Sequence, residues 1–408
     1  MRQLQHIIIW IIAILFSGLC SGLSAAIFLI VLDWITAYRS SNSLFLFLLP
    51  PIGFLVSWMY FQFGSGFAKG NNLILEEIKR PTSTLSILMA PFVLIATWLS
   101  HLGGASVGRE GTAIQMGSAL TDQFSKLFGD AIVPRDVLLM MGISTGFAAV
   151  FGTPFAGTLF ALEIAMVSYR KLWLVFPLLA CSLFADKVCR WIGASHAHYP
   201  NVSFPPLNPI LFLYVALCGF LFGLIAWCFV NSQKFFTRLS LKITYPPLRT
   251  FFGGCVLVIV YQLIGTRYCG LGIDVIQESF TTSSSFFDFS AKLLLTSFAI
   301  SVGFKGGEVT PLFFIGATLG SALALIIPLP LTMLAALGFV AVFAGATHAP
   351  LACTMMAMEL FGAPIGLFSL LINLIAYFSS GREGIYTSQA IGYPKRFMLT
   401  YWDKIFGK

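Results

Sequence analysis

The chain has 408 residues, of which 58% are hydrophobic and 10% charged, and its formal net charge is +8. A soluble domain carries about 25% charged residues, so a water-exposed globular surface is excluded and lipid must cover much of the chain. Lysine and arginine gather at the ends of apolar runs, which indicates cytoplasmic anchoring and argues against nucleic-acid binding.

Two long uncharged runs, residues 7–32 and 210–230, predict membrane-spanning helices. Each exceeds the roughly 20 residues that a helix needs to cross a bilayer. The first run is also too long for a secretory signal, whose apolar core has about 7–15 residues. Because a spanning segment must satisfy its own backbone groups inside lipid, we expect an all-α, multi-pass membrane protein.

The two halves of the chain share sequence blocks in the same order. Residues 142–163 align without a gap with residues 338–359, and both blocks end in a glutamate. Three further blocks recur: Gly18 and Gly22 with Gly219 and Gly223, residues 70–74 with 272–276, and residues 108–112 with 306–310. This order indicates an ancient duplication, with repeats at residues 1–200 and 201–408 and no separate soluble domain.

Charge suggests how the two repeats sit in the membrane. The predicted loop after the first repeat's opening helix holds Asp33 and Arg39. The matching loop of the second repeat holds only basic residues, namely Lys234, Arg238, Lys242 and Arg249. Since basic loops prefer the cytoplasm, an inverted-topology repeat is predicted. A parallel repeat with a chance charge asymmetry is the alternative.

Glycine-led segments interrupt the apolar stretches and predict broken helices. A helix N-terminus carries unpaired amides and about half a positive charge, so it attracts anions. Several such ends near the midplane would hold an anion weakly enough to release it. The predicted anion-binding residues are Asn71, Gly108, Arg109, Gly111, Thr112, Thr310 and Tyr386. Whether Asn71 or its neighbour Asn72 faces the anion stays open.

Glu110 is the most informative acid, because it lies among glycines at the head of an apolar helix. A carboxylate there can occupy the anion position, and when desolvated it can carry a proton. The alternative is a cap acid that only complements the helix dipole. Glu163 and Glu359, at matched ends of the duplicated helix, are expected to be structural.

Residues 108–111, Gly-Arg-Glu-Gly, match the core of the GREGP signature of the CLC chloride channel and transporter family, which this chain resembles over almost its whole length. The resemblance implies a CLC-type inverted repeat, with broken and re-entrant helices that meet at a midplane anion site, in a homodimer with one pore per subunit. It also implies that Glu110 is the gate and that Tyr386, in GIYTSQ, coordinates the anion.

Departures from the family pattern narrow the resemblance. Asn71 stands where chloride-type members have the serine of GSGIP, Thr112 replaces the last proline of GREGP, and GGEVTP at 306–311 replaces GxFxP. This combination is similar to the CLC-F branch of fluoride/proton antiporters, which would place Glu308 on the proton path. Residues 187–273 contain no acid, so the intracellular relay glutamate of many chloride/proton exchangers is absent.

The predicted function is therefore fluoride export in exchange for protons, by a multi-pass inner-membrane protein that uses Glu110 and Glu308 and no metal or cofactor. Its partners are fluoride, protons, the bilayer and a second copy of the chain. A CLC chloride channel or chloride/proton exchanger is the alternative. A membrane-embedded enzyme using Glu110 and His101 is disfavoured, since no HExxH or paired-aspartate motif occurs. For Glu308, a helix cap or an ion pair with Lys305 is the structural alternative.

Overall fold

The structure is a computed structural model that describes residues 2–128, 132–166, 168–392, 395–398 and 400. Within these ranges the regular elements are helices, as predicted, and the β-type contact is an isolated bridge between Gly108 and Gly307. The α-helices in chain order are α1 Arg2–Ser41, α2 Leu49–Phe63, α3 Asn71–Lys79, α4 Met89–Leu102, α5 Glu110–Thr121, α6 Gln123–Phe128, α7 Arg135–Phe151, α8 Pro154–Ile164, α9 Val175–Trp191, α10 Pro209–Ser240, α11 Pro246–Ile264, α12 Ile273–Glu278, α13 Phe286–Val302, α14 Val309–Leu323, α15 Leu331–Thr347, α16 Pro350–Phe361 and α17 Gly366–Ser379.

Several helices are long and apolar enough to cross a membrane. In the described part of the chain there are five, namely Gln3–Ser41, Ser43–Phe63, Lys171–Trp191, Pro209–Ser240 and Pro246–Ile264. Large apolar side chains along them, such as Ile7, Phe220 and Leu263, are more than half exposed. Exposed apolar side chains along helices of this length suit a lipid environment.

Most of the charged residues that were predicted to lie in the two matching loops lie on helices instead. Asp33 and Arg39 belong to α1, and Lys234 and Arg238 belong to α10. These helices have 40 and 32 residues, more than the roughly 20 that span a bilayer, so their charged last turns continue beyond the apolar stretch.

The glycine pairs of α1 and α10 pack the first helix of each repeat against the last. A Cβ atom at Gly22 would lie 2.6 Å from the Ala185 carbonyl oxygen of α9, and one at Gly223 would lie 2.6 Å from the Ala376 carbonyl oxygen of α17. Only glycine permits this approach, and small residues bring membrane helices together. The repeated glycine motifs therefore have the same packing role in both halves, where they let the first helix approach the last.

Glu163 and Glu359 join the halves by reciprocal contacts. The Glu163 carboxylate accepts hydrogen bonds from two first-turn N–H groups of α16, at 3.0 and 2.7 Å. The Glu359 carboxylate accepts from the corresponding N–H groups of α8, also at 3.0 and 2.7 Å. Each carboxylate thus caps a helix of the other half, which is favourable at a positive helix end. Such an exchange is the mark of a two-fold relation and supports the structural role expected for both acids.

The bridge between the halves sets a register that differs by one residue from the sequence alignment. Gly108 and Gly307 each donate their N–H to the other's carbonyl oxygen, at 2.5 and 2.8 Å. Helix α5 begins at Glu110 and α14 at Val309, each two residues after its bridged glycine. The alignment of Glu110 with Glu308 was therefore wrong by one residue, because backbone pairing rather than side-chain identity fixes the relation.

Candidate anion site

The Glu110 carboxylate lies at the N-terminus of the other repeat's broken helix, α14. One of its oxygens accepts the Thr310 backbone N–H at 3.1 Å and the Arg109 backbone N–H at 3.1 Å, and the other accepts the Thr310 hydroxyl. Glu110 is fully buried. Its negative charge therefore occupies the position that a small anion would take at a helix N-terminus.

The Arg109 guanidinium lies between this carboxylate and Asp33 of α1. Its Nε lies 3.6 Å from a Glu110 oxygen, and its guanidinium lies 4.0 Å from the exposed Asp33 carboxylate. Asp33 lines a cavity of about 580 Å³ together with Arg39, Arg267 and Asp274. Arg109 thus connects the buried Glu110 with this cavity, which we call the Asp33 cavity.

Asn71 and Tyr386 face a second cavity, of about 170 Å³, which Lys305 and Glu308 also line. Tyr386 is buried, and its hydroxyl has no hydrogen-bond partner among the described residues. The Asn71 side-chain oxygen is likewise unpartnered, while its Nδ2 lies near Gly111. Buried polar atoms normally have a partner, so the Tyr386 hydroxyl marks a free donor in what we call the Asn71 cavity. The Asn71 oxygen can only accept a hydrogen bond, so an anion would have to meet the Asn71 Nδ2 instead.

Asn72 has a different task. Its side-chain oxygen accepts the Ser388 backbone N–H at 3.0 Å, and the Ser388 hydroxyl donates to Glu76 at 3.0 Å. These bonds tie α3 to the loop that carries Tyr386. Both asparagines line the Asn71 cavity, but the Asn72 side-chain oxygen is occupied by Ser388, whereas the Asn71 oxygen has no partner among the described residues, a difference that the sequence could not reveal.

Thr112 lies apart from the other predicted ligands. Its hydroxyl lies 2.6 Å from the Thr97 hydroxyl, which itself donates to the Val93 carbonyl. Since the Thr97 hydroxyl donates its only proton to that carbonyl, the Thr112 hydroxyl is the donor between the two threonines. The Thr112 proton is therefore not available to an anion in this arrangement.

Glu308 occupies the N-cap position of α14, but its side chain makes no capping hydrogen bond. Within the described residues it forms no ion pair with Lys305 either. Its carboxylate neighbours are its own backbone N–H and the Gln233 side chain. Both structural alternatives for Glu308 are therefore weakened, and a half-buried carboxylate is left on the wall of the Asn71 cavity.

Sequence reasoning missed an aromatic cluster beside Tyr386. Phe160 lies 6.4 Å from the Tyr386 ring, and it stacks with Phe147 at 4.5 Å and with Phe343 at 5.8 Å. Phe147 and Phe343 are matched positions of the duplicated block, which was the available signal. Ring edges carry partial positive charge, so such a cluster can border an anion path without hydrogen bonds.

The enzyme alternative gains nothing from the structure. GxSxG strings occur at residues 104–108 and 142–146. The Ser106 hydroxyl pairs with Thr296 at 2.9 Å, and the Ser144 hydroxyl pairs with Ser182 at 2.5 Å. In the described part of the chain neither serine has a histidine partner, which a serine nucleophile requires.

The chain is similar to known proteins over most of its length. The family model described as voltage gated chloride channel matches residues 52–381. A chloride/fluoride channel protein of Pseudomonas syringae pv. tomato is 42% identical over 400 residues, which cover 96% of this chain and 88% of the relative. A voltage-gated ClC-type chloride channel of Salmonella typhi, ClcB, is 27% identical over 301 residues, which cover 69% of this chain and 70% of the relative.

Solved structures share the fold. A CLC-type fluoride/proton antiporter superimposes with a TM-score of 0.90 at 31% identity, over 93% of this chain and 97% of that one. A slow cyanobacterial Cl⁻/H⁺ antiporter superimposes with a TM-score of 0.80 at 20% identity, over 96% of this chain and 98% of that one, and supports the fold alone. The predicted CLC-type fold is confirmed.

Proposed function

This chain belongs to the voltage-gated chloride channel family, and we propose that within it the protein exports fluoride in exchange for protons. The observation that carries the proposal is the Glu110 carboxylate, which takes the place of an anion on the N–H and hydroxyl of Thr310. Support for this branch of the family comes from the CLC-type fluoride/proton antiporter that is 31% identical to the chain.

Glu110 links the two ions through its protonation state. As a carboxylate it accepts charge-assisted hydrogen bonds, which are roughly twice as strong as neutral ones. A proton on Glu110 weakens its hold on Thr310 and opens the helix end to fluoride. The carboxyl group returns to the helix end only after it has lost that proton, and the returning carboxylate displaces the anion, so the anion and the proton move in exchange.

Fluoride recognition falls to Asn71 and Tyr386, which face one cavity. Fluoride is small and strongly hydrated, so the site must offer strong donors in place of water. A phenol O–H and an amide N–H are such donors, and the Asn71 amide has two N–H groups where a serine would offer one O–H. Gly108, Gly111 and Arg109 shape the helix end, Thr310 supplies donors once Glu110 moves, and Thr112 supports α5 through Thr97.

Glu308 supplies the second proton station. It lies on the Asn71 cavity, while Glu110 communicates with the Asp33 cavity through Arg109. A proton that passes between these acids crosses the centre of the protein without a relay acid in residues 187–273. The repeats at residues 1–200 and 201–408 would then open the two cavities to opposite faces of an inner membrane, in each subunit of a homodimer.

The chloride channel or chloride/proton exchanger is the second candidate, favoured by the 27% identity to a chloride channel. Proteoliposomes with equal fluoride and chloride gradients and a record of internal pH distinguish fluoride/proton exchange from chloride/proton exchange and from channel activity. We expect fluoride release much faster than chloride release, accompanied by proton uptake that a fluoride gradient drives. Equal anion rates would return the protein to the chloride branch, and fluoride release without proton movement would make it a channel.

A further inference from the structure

Lys305 sits in the break between α13 and α14, three residues before Glu308, and is half-buried. Its ammonium lies 4.2 Å from the centre of the Tyr60 ring, and it forms no ion pair with a carboxylate of the described residues. Tyr60 is itself buried, so the ring fixes the ammonium on the wall of the Asn71 cavity. The face of an aromatic ring attracts a cation in this position.

The ring holds Lys305 without neutralising it. A directly paired carboxylate would cancel the ammonium charge, whereas a ring is neutral, so the ammonium is opposed in the cavity only by the Glu308 carboxylate, with which it forms no ion pair among the described residues. Lys69 provides the contrast on the same cavity. Its ammonium lies 2.7 Å from Glu76, and both side chains are well exposed, so its field is cancelled by its partner and screened by solvent.

We propose that Lys305 is the anion-recruiting residue of the Asn71 cavity and that the recruited ligand is a small inorganic anion. Its unpaired charge concentrates anions in the cavity and raises their rate of arrival at Asn71 and Tyr386. Because the lysine stands on the cavity wall beside Tyr60, the final ligands are neutral donors, and the anion is attracted without being trapped. This inference rests on the proposed anion transport and adds the residue that sets its apparent affinity.

The position of Lys305 also separates recruitment from gating. Gating depends on the carboxylate of Glu110 and on donors from Thr310, with which Lys305 shares no hydrogen bond or ion pair. Loss of the ammonium should therefore change the concentration of anion needed for half-maximal transport and leave the maximal rate nearly unchanged.

The test is fluoride transport by proteoliposomes bearing Lys305→Met, at low and high concentrations of an impermeant salt. We expect the KM for fluoride to rise about fivefold at low ionic strength, with the maximal rate unchanged, since steering affects arrival. High ionic strength should screen the ammonium and bring the wild-type KM close to that of the variant. Lys305→Arg keeps a cation over the ring and should keep the wild-type KM.

Lys69→Met is the matched control, because it removes a lysine from the same cavity. We expect its KM to stay within about twofold of the wild-type value, since exposed ion pairs contribute little. If Lys305→Met does not reconstitute, Lys305→Gln makes the same neutralisation with a polar side chain.

A KM that is unchanged by neutralising Lys305, or a fall confined to the maximal rate, would overturn the inference. So would equal KM changes for Lys305→Met and Lys69→Met. The same titrations with chloride keep the two proposals apart. A salt-dependent KM effect seen for chloride, with no fluoride transport, would retain Lys305 as the recruiting residue and reject fluoride as the substrate.

Discussion

Two pairs of glutamates differ in how closely they follow the internal repeat: the pair Glu163 and Glu359 is symmetric, and the pair Glu110 and Glu308 is not. Glu163 and Glu359 cap each other's repeats at the same two distances, 3.0 and 2.7 Å. Glu110 and Glu308 are shifted by one residue, since the first begins α5 and the second precedes α14. The shift buries one carboxylate on Thr310 and leaves the other on a cavity wall. Symmetry is thus kept where the acids build the fold and broken where we propose that they carry protons.

Glu110→Gln should have the largest effect on transport. Glutamine keeps the shape of the side chain but cannot take up a proton, so fluoride movement should lose its coupling to pH altogether. Fluoride and proton fluxes recorded together in proteoliposomes measure this. Glu359→Gln is the matched control, because it makes the same substitution at a glutamate that caps a helix, and it should retain the coupling of fluoride to protons. Wild-type coupling in Glu110→Gln would reduce Glu110 to a helix cap.

Tyr386→Phe tests the buried hydroxyl that has no partner among the described residues. Loss of a hydrogen bond to a charged ligand costs about 1.5–3 kcal/mol, so fluoride should bind about ten- to a hundredfold more weakly. Calorimetry on the purified protein measures the affinity, and an unchanged melting temperature shows that the ring still packs. Equal affinities would mean that the hydroxyl does not contact the anion.

Removal of the symmetric acids should change stability by similar amounts. Glu163→Ala and Glu359→Ala each uncap one helix of the other half, which costs about 0.5–2 kcal/mol. Thermal unfolding in detergent should show comparable losses for both variants, with fluoride affinity retained in the folded protein. A large loss for one and none for the other would show that the reciprocal contacts are not equivalent.

Thr112→Val should have the smallest effect on the anion. The Thr112 hydroxyl donates to Thr97, so its loss should leave fluoride affinity within about twofold and lower stability by about 1 kcal/mol. The same calorimetric titration compares it directly with Tyr386→Phe. A loss of affinity as large as that of Tyr386→Phe would place Thr112 on the anion after all.

Much of the fold could be predicted from the sequence because its signals are local and repeated. Apolar runs longer than a bilayer requires, glycine pairs and the duplicated block predicted the helices and their order. The register between the halves could not be predicted, because it depends on backbone hydrogen bonds between Gly108 and Gly307, residues far apart in the chain.

The predicted site residues divide in the same way. Glu110 contacts Thr310, and Asn71 lines one cavity with Tyr386, while the part that these residues play in anion binding stays a prediction. The roles of Asn72 and Thr112 depend on Ser388 and Thr97, whose positions follow only from tertiary packing. Lys305 was considered only as a partner of Glu308, because sequence spacing could not reveal that the Tyr60 ring holds it.

The most direct test of the broken symmetry is Glu308→Gln, with fluoride and proton fluxes recorded in the same proteoliposomes. Glutamine preserves the N-cap residue and its neighbour Gln233 but removes the titratable group from the Asn71 cavity. The account predicts a folded protein in which protons no longer accompany fluoride. Protons that still follow fluoride at the original ratio would show that Glu308 is off the path and that Glu110 does not need a second acid.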